Sequence, residues 1–355
     1  MSASPGETLE VPAEPPAAPL AASVPASGLG RSTLLRGAGV AAIVLIAGLF
    51  VPALITDPYY MGVAADGVVL GILALGIGFL AHRLGLISLG HTAFYGLAAY
   101  MVAIATTHFG WGPTAAALIG VVAGTVLAVL VGALVIRTPG MGFLMLTLAF
   151  GQGVYQLSVL TSVREVTGGL DGLVVTWAPS DTFFGMTQLE LGSADTFWPL
   201  AWVTLVVVAF GLWVAGRSRF GVVLEAIREN EERARYSGYN TYVPRLAAFS
   251  LSGLCGSLAG VLFALKASFV SPDVMSFVMA GDSLIATLVG GFTVLVGPVV
   301  GAVLYIYAQG QFGETGNLQL YTGIALVLVI AFLPGGLTGW LVRAWRRLRP
   351  GKERA

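Results

Sequence analysis

Long apolar runs, separated by short polar or Gly/Pro-bearing joints, set the pattern of this chain. Ten runs stand out, at about 38–55, 62–81, 90–107, 114–136, 141–160, 197–215, 246–266, 280–293, 296–310 and 319–334. Most are close to 20 residues, which at ~1.5 Å rise per residue matches the ~30 Å hydrocarbon core of a bilayer. Backbone polar groups find no water there, so such runs fold as helices. A transmembrane barrel would instead alternate apolar and polar positions in segments of about ten residues. The expected fold class is an all-α polytopic membrane protein of about ten transmembrane helices, some short or broken.

The eighth and ninth runs depart from the pattern. The stretch MAGDSLIATLVGGFTVLVGPVVGAVLYIYAQ is too long for one span and is interrupted at Gly290-Gly291 and Gly297-Pro298. Two readings stand: broken helices that wall a solute path, or a tight turn between two short packed helices. Small-residue pairs four apart, Gly67/Gly71, Gly120/Gly124, Gly256/Gly260 and Gly297/Gly301, predict close helix crossings.

Composition agrees with a membrane protein, since 56% of residues are hydrophobic and only 10% charged, too little polar surface for a soluble fold of 355 residues. Residues 1–37, rich in Pro, Ala and Ser, read as a disordered tail. They lack the charged start and early apolar core of a signal peptide. The lone Cys255 lies in an apolar run and reads as packing. With zero formal net charge, nothing points to a nucleic-acid partner.

The few charges carry the topology. If the N-terminus is cytoplasmic, alternation puts sixteen of the eighteen Lys and Arg inside and leaves only Arg164 and Lys266 outside. Both termini then face the cytoplasm. The chain divides into the 1–37 tail, a transmembrane domain over 38–340 with an external loop at 161–196 and a polar cytoplasmic loop at 216–245, and a basic tail at 341–355.

Catalytic chemistry is missing. The three histidines, His82, His91 and His108, are scattered, and there is no HExxH, no cysteine pair and no carboxylate pair inside the spans. The GIGFLA string at 76–81 lies in an apolar run with no preceding strand and is set aside as a nucleotide motif. No GxxxxGK[ST] occurs, so the chain carries no P-loop of its own, and no cofactor or metal is expected on it. Asp66 and Asp282 fall near the outer ends of their spans, and His91 is read either as a bonded packing residue or as a solute contact. The energy source is therefore expected in another polypeptide.

The polar loop is the exception in an oily chain. Residues 216–246 hold ten of its thirty-six charged side chains. Arg219-Phe-Gly221 predicts a turn, and 222–237 reads as one helix ending at the left-handed cap Gly238. Val223, Ile227, Asn230 and Ala234 form a mildly apolar stripe. Glu229/Arg233 and Glu231/Arg235 are acid-before-base pairs, each worth ~0.2–0.5 kcal/mol. The helix is either a solvated connector or a docking element for a cytoplasmic partner.

The segment RFGVVLEAIRENEERARYSGYN, followed by FSLSGLCGSLAGVLFA, resembles the cytoplasmic coupling loop of ABC-importer permeases for branched-chain amino acids, the LivM type. GLISLGHTAFYGLAAYMVAI, RTPGMGFLMLTLAFGQGVYQL, VTGGLDGL, VGGFTVLVGPVVGA and FLPGGLTG are similar to the same family, in family order from about residue 60 to 340. The resemblance implies a permease subunit in a bacterial or archaeal plasma membrane. Its partners would be a LivH-like second permease, two cytoplasmic P-loop ATPases that bind ATP and Mg, and an external solute-binding protein. It implies coupling positions at Arg219, Gly221, Glu225, Ala226, Arg228, Glu229 and Asn230. Glu225 departs from the basic residue the family commonly places before Ala-Ile-Arg. Polar residues of the similar motifs, Ser88, His91, Thr92, Thr147 and Gln152, are candidates for the translocation path. The implied cargo is leucine, isoleucine or valine, with urea, short amides or other amino acids as alternatives. An ion-coupled secondary carrier is the reading from another class, and the scarcity of ionisable residues in the spans weighs against it.

Overall fold

A computed structural model of the chain describes residues 30–312 and 335–348, together with 320, 321, 323, 324 and 327. The expected tail up to residue 29 and most of the tenth run, 319–334, lie outside the described residues.

The apolar runs fold as helices. In chain order they are α1 (Arg31–Leu49), the short α2 (Val51–Leu54), α3 (Pro58–Leu84), α4 (His91–Thr107), α5 (Pro113–Val135) and α6 (Gly140–Val159). After a loop with a short α7 (Arg164–Thr167), β1 (Leu173–Val174) and α8 (Gln188–Gly192) come α9 (Ala194–Arg217), α10 (Arg219–Glu229), α11 (Glu231–Tyr236) and α12 (Tyr242–Ala267). The chain continues through β2 (Phe269–Val270), α13 (Phe277–Gly290), α14 (Gly297–Phe312) and α15 (Gly336–Leu348). Among the described residues six stretches are long and apolar enough to cross a bilayer: α1 with α2, α3, α5, α6, α9 and α12. The expected tail boundary at residue 37 is corrected, because α1 already begins at Arg31. At the other end, the boundary drawn at residue 341 falls inside α15 rather than between elements.

Helix α3 is the axis of the bundle. Asp57 caps it by accepting the Tyr59 N–H at 2.9 Å, Pro58 opens it, and Gly85 closes it at φ +67°. Eighteen of its 27 residues are buried, with α9, α12 and α14 packed against it. The glycine pairs sit at helix crossings as their spacing predicts. A Cβ on Gly67 or Gly71 would press on Val303 or Val299 of α14, and one on Gly260 would collide with the Tyr95 carbonyl. Close backbone approach of this kind supplies the packing that lipid, equally apolar, does not drive.

Contacts sort the charges by end. Lys266 pairs with Asp66 at 2.5 Å at one end, where β1 pairs antiparallel with β2 and Arg164 meets Asp171 at 2.8 Å. At the opposite end Arg83 meets Glu225, Arg137 lies over the Tyr242 ring, Gly37 of α1 abuts Trp213, and α15 caps the turn after α13. The basic residues described in 31–245, apart from Arg164, gather at this end.

Two irregular segments interrupt the bundle. Residues 85–90 leave the end of α3 and fold back among the helices, so that α4 begins in the interior. His91 reaches Ser252, which bonds the Gly76 carbonyl, eight residues and about 12 Å back along α3. The other segment is the break expected at the glycines. Helix α13, 14 residues long, would extend only about 21 Å, short of the bilayer core. Its junction with α14 is a tight turn between packed helices. A Cβ on Gly290 would strike the Gly297 carbonyl, and one on Gly301 the Ala286 carbonyl.

Candidate functional site: a surface lever and a buried polar knot

The polar loop forms two helices where one was expected over 222–237. Its first helix starts at Arg219, and the chain breaks at Asn230, which is extended (φ −159°, ψ 100°) and caps α11 by accepting the Arg233 N–H at 2.8 Å. The signal was present in the sequence as Asn followed by two glutamates, a cap residue with acids in the first turn. Gly238 does adopt the left-handed conformation, at φ +85°.

The apolar stripe faces inward. Gly221, Leu224 and Ile227 of α10 and Ala234 of α11 are buried, Val223 is half-buried, and Asn230 is exposed. Helix α10 lies on α3 and α9, and its exposed face carries Val222, Glu225, Ala226 and Glu229. Helix α10 starts at a sharp corner after α9. A Cβ on Gly221 would lie about 2.0 Å from the Gly216 carbonyl oxygen, and one on Gly216 would meet the Arg83 guanidinium.

Polar contacts tie this unit to two helices, α3 and α12. Arg228 donates to the His82 carbonyl at 2.5 Å, and Glu225 meets Arg83 at 3.6 Å, both at the end of α3. The unusual Glu225 thus has a basic partner supplied by another helix. Glu231 takes more than the expected pairing: Arg235 at 3.1 Å, the Thr241 hydroxyl at 3.1 Å, and Arg245 of α12 at 2.6 Å. Burial pushes the Glu231 carboxyl up, but Arg245, Thr241 and Arg235 together outweigh it and leave its pKa lowered. The second expected pair is corrected: Glu229 and Arg233 stand on either side of the Asn230 break and form no ion pair among those described. Arg219 is exposed at the first position of α10. Sequence reasoning missed Arg83, Thr241 and the full role of Arg245, because their partners are distant in sequence.

Four of the five candidate path residues come together in the interior. Ser88, His91, Thr92 and Thr147 are each at most 1% exposed. Ser88 Oγ accepts the Gly90 N–H at 3.2 Å, and Thr147 Oγ1 accepts the Leu89 N–H at 3.3 Å while donating to the Leu144 carbonyl at 2.9 Å. His91 Nε2 shares a 2.5 Å hydrogen bond with the Ser252 hydroxyl, which donates to the Gly76 carbonyl at 2.7 Å. Phe94 and Phe249 stand edge-on to the imidazole. His91 Nδ1 and Thr92 Oγ1 are buried without a hydrogen-bond partner. Gln152 stands apart, half-buried on α6, next to the Gly151 that packs on Gly90. Ser252 was missed, although it lies in a quoted motif.

A multi-pass helical membrane protein with a polar two-helix unit at its arginine-rich end is thereby defined. Among the described residues no three His, Cys, Asp or Glu side chains gather as a metal site would require. Residues 59–333 match the family described as "Branched-chain amino acid transport system / permease component", and the chain belongs to that family of ABC-transporter permease components. The high-affinity branched-chain amino acid transport system permease protein LivM of Salmonella typhimurium is 30% identical over 294 residues, 76% of this chain and 67% of that protein. LivM of Escherichia coli is 29% identical over 274 residues, 71% of this chain and 64% of that protein. The autoinducer 2 import system permease protein LsrC of Yersinia pestis is 29% identical over 245 residues, 67% of this chain and 61% of that protein. The chain thus spans roughly two thirds of the length of these curated relatives. No solved structure matches it.

Proposed function

We propose that this chain is the permease subunit of an ATP-driven importer of branched-chain amino acids, with leucine, isoleucine and valine as cargo. The observation that carries the reading is the lever: α10 and α11 present a polar face outward while their buried face and ion pairs grip α3, α9 and α12. A push on the exposed face is passed to the bundle through those contacts. Two P-loop ATPases on the cytoplasmic side would bind ATP and Mg and supply the push. A LivH-like second permease and an external binding protein would complete the machine, with both termini of this chain cytoplasmic in a bacterial or archaeal plasma membrane.

The path is assigned to the re-entrant segment and the start of α4. A buried polar atom without a partner costs about 1–3 kcal/mol. A second state that admits water or solute beside His91 and Thr92 would pair both atoms. Spans poor in ionisable groups suit a cargo without net charge, such as a zwitterionic amino acid. The similarity to LsrC supports a second cargo, autoinducer 2.

Reconstitution of the chain with its ATPase, second-permease and binding-protein partners in proteoliposomes tests both. Leucine uptake should require ATP and be inhibited by isoleucine and valine. Uptake by this chain alone on an ion gradient would overturn the importer reading. Autoinducer 2 uptake without leucine uptake would select the second cargo.

A further inference from the structure

Helix α1 touches the bundle in an unusual way. Among the described helices it leans chiefly on α9, and three tryptophans of α9 hold it: Trp198 Nε1 donates to the Gly48 carbonyl at 2.7 Å, Trp202 Nε1 donates to the Val44 carbonyl at 3.2 Å, and the Trp213 ring covers Gly37. Between α1, α9 and the start of α14 a groove of about 630 Å³ remains open. Its walls are apolar, among them Val40, Val206, Phe210 and Val299. Arg36 and Arg217 line its end. Trp213 holds the Arg217 guanidinium over its ring at 4.9 Å, and neither arginine has an acidic partner among the described ion pairs.

The dimensions identify the occupant. From Trp202 to Trp213 the groove follows α9 for about 16 Å, close to half of a ~30 Å hydrocarbon core and so to one leaflet. A slot one leaflet deep, greasy along its shaft and doubly cationic at the end where the other arginines of the bundle lie, matches a phospholipid with an anionic headgroup. We propose that this groove is a binding site for one anionic phospholipid, its acyl chain lying between α1 and α9 and its phosphate held by Arg36 and Arg217. The acyl chain also lies against Leu295 and Val296 in the turn between α13 and α14, so the lipid joins α1 to the broken pair of helices.

Native mass spectrometry of the purified full chain tests the site, with phosphatidylglycerol and phosphatidylcholine of matched chains added separately. The wild-type chain should retain one phosphatidylglycerol with about a thirtyfold preference over phosphatidylcholine, the size expected for two basic residues near an anionic headgroup. Arg36→Gln with Arg217→Gln should remove the preference while leaving acyl binding in place. Ala209→Phe, which places a ring inside the groove, should lower retention of both lipids. Equal retention of the two lipids by the wild-type chain, a preference that survives the double substitution, or a second copy of the chain seated in the groove would each overturn the proposal.

Discussion

The lever and the buried knot are both polar, and they handle polarity in opposite ways. At the surface α10 and α11 use full charges: Glu225 with Arg83 and Glu231 with Arg245, both carboxylates still partly in water. In the interior the knot of Ser88, His91, Thr92, Thr147 and Ser252 uses short neutral groups and backbone carbonyls, and leaves two atoms unpaired. Charges desolvated at depth would cost several kcal/mol each, whereas hydroxyls and one imidazole are affordable there. Charge thus gathers at the water-facing end of the bundle, and neutral polarity in its interior.

The comparison breaks first at the corner of the lever. Gly221→Val drives a side chain into the Gly216 carbonyl and displaces α10, at a cost of about 1–3 kcal/mol. ATP-dependent uptake in proteoliposomes should fall about tenfold or more, while the amount of chain in the membrane fraction stays at the wild-type level.

Removing one partner in each region compares the two directly. Ser252→Ala takes the hydrogen bond from His91 Nε2 and from the Gly76 carbonyl and should cost about 1–3 kcal/mol. Arg245→Ala leaves Glu231 with its weaker partners and should cost about 1–2 kcal/mol, less because the carboxylate keeps contact with water. Thermal unfolding in detergent measures both, and a larger loss for Arg245→Ala would reverse the ranking drawn here.

Acid should loosen the lever before it disturbs the knot. The folded-state pKa of Glu231 lies below its ordinary 4.5, so its contribution is complete above 4.5. As pH falls from there through the lowered pKa, that contribution is lost. Hydrogen exchange at the amides of α11 should therefore quicken in that window, with those of α4 unchanged. Glu225→Gln should have the smallest effect, within about 1 kcal/mol, because its partner lies at 3.6 Å and the carboxylate is exposed. Unfolding temperature checks it.

Much of the lever was legible because it stands out from its oily surroundings, and local rules reached Gly238, the Glu231/Arg235 pair and the inward-lying Ile227 and Ala234. Local rules did not show which side the stripe would face. An apolar stripe fits a partner's groove as well as the flank of α3 and α9, and only their packing decides between them. The break at Asn230 was missed because acid-base spacing ran through it.

By itself the sequence determined the membrane-helical class, the joint at Gly290-Gly291, and the crowding of arginines in the polar loop, since chain length against bilayer thickness, glycine geometry and charge are properties of short stretches. Tertiary structure alone decided that Glu225 meets Arg83, that Arg245 secures Glu231, that residues 85–90 carry His91 to Ser252, and that α1 leaves a groove beside α9. Each of those depends on residues far apart in the chain, whose meeting is set by how whole helices pack.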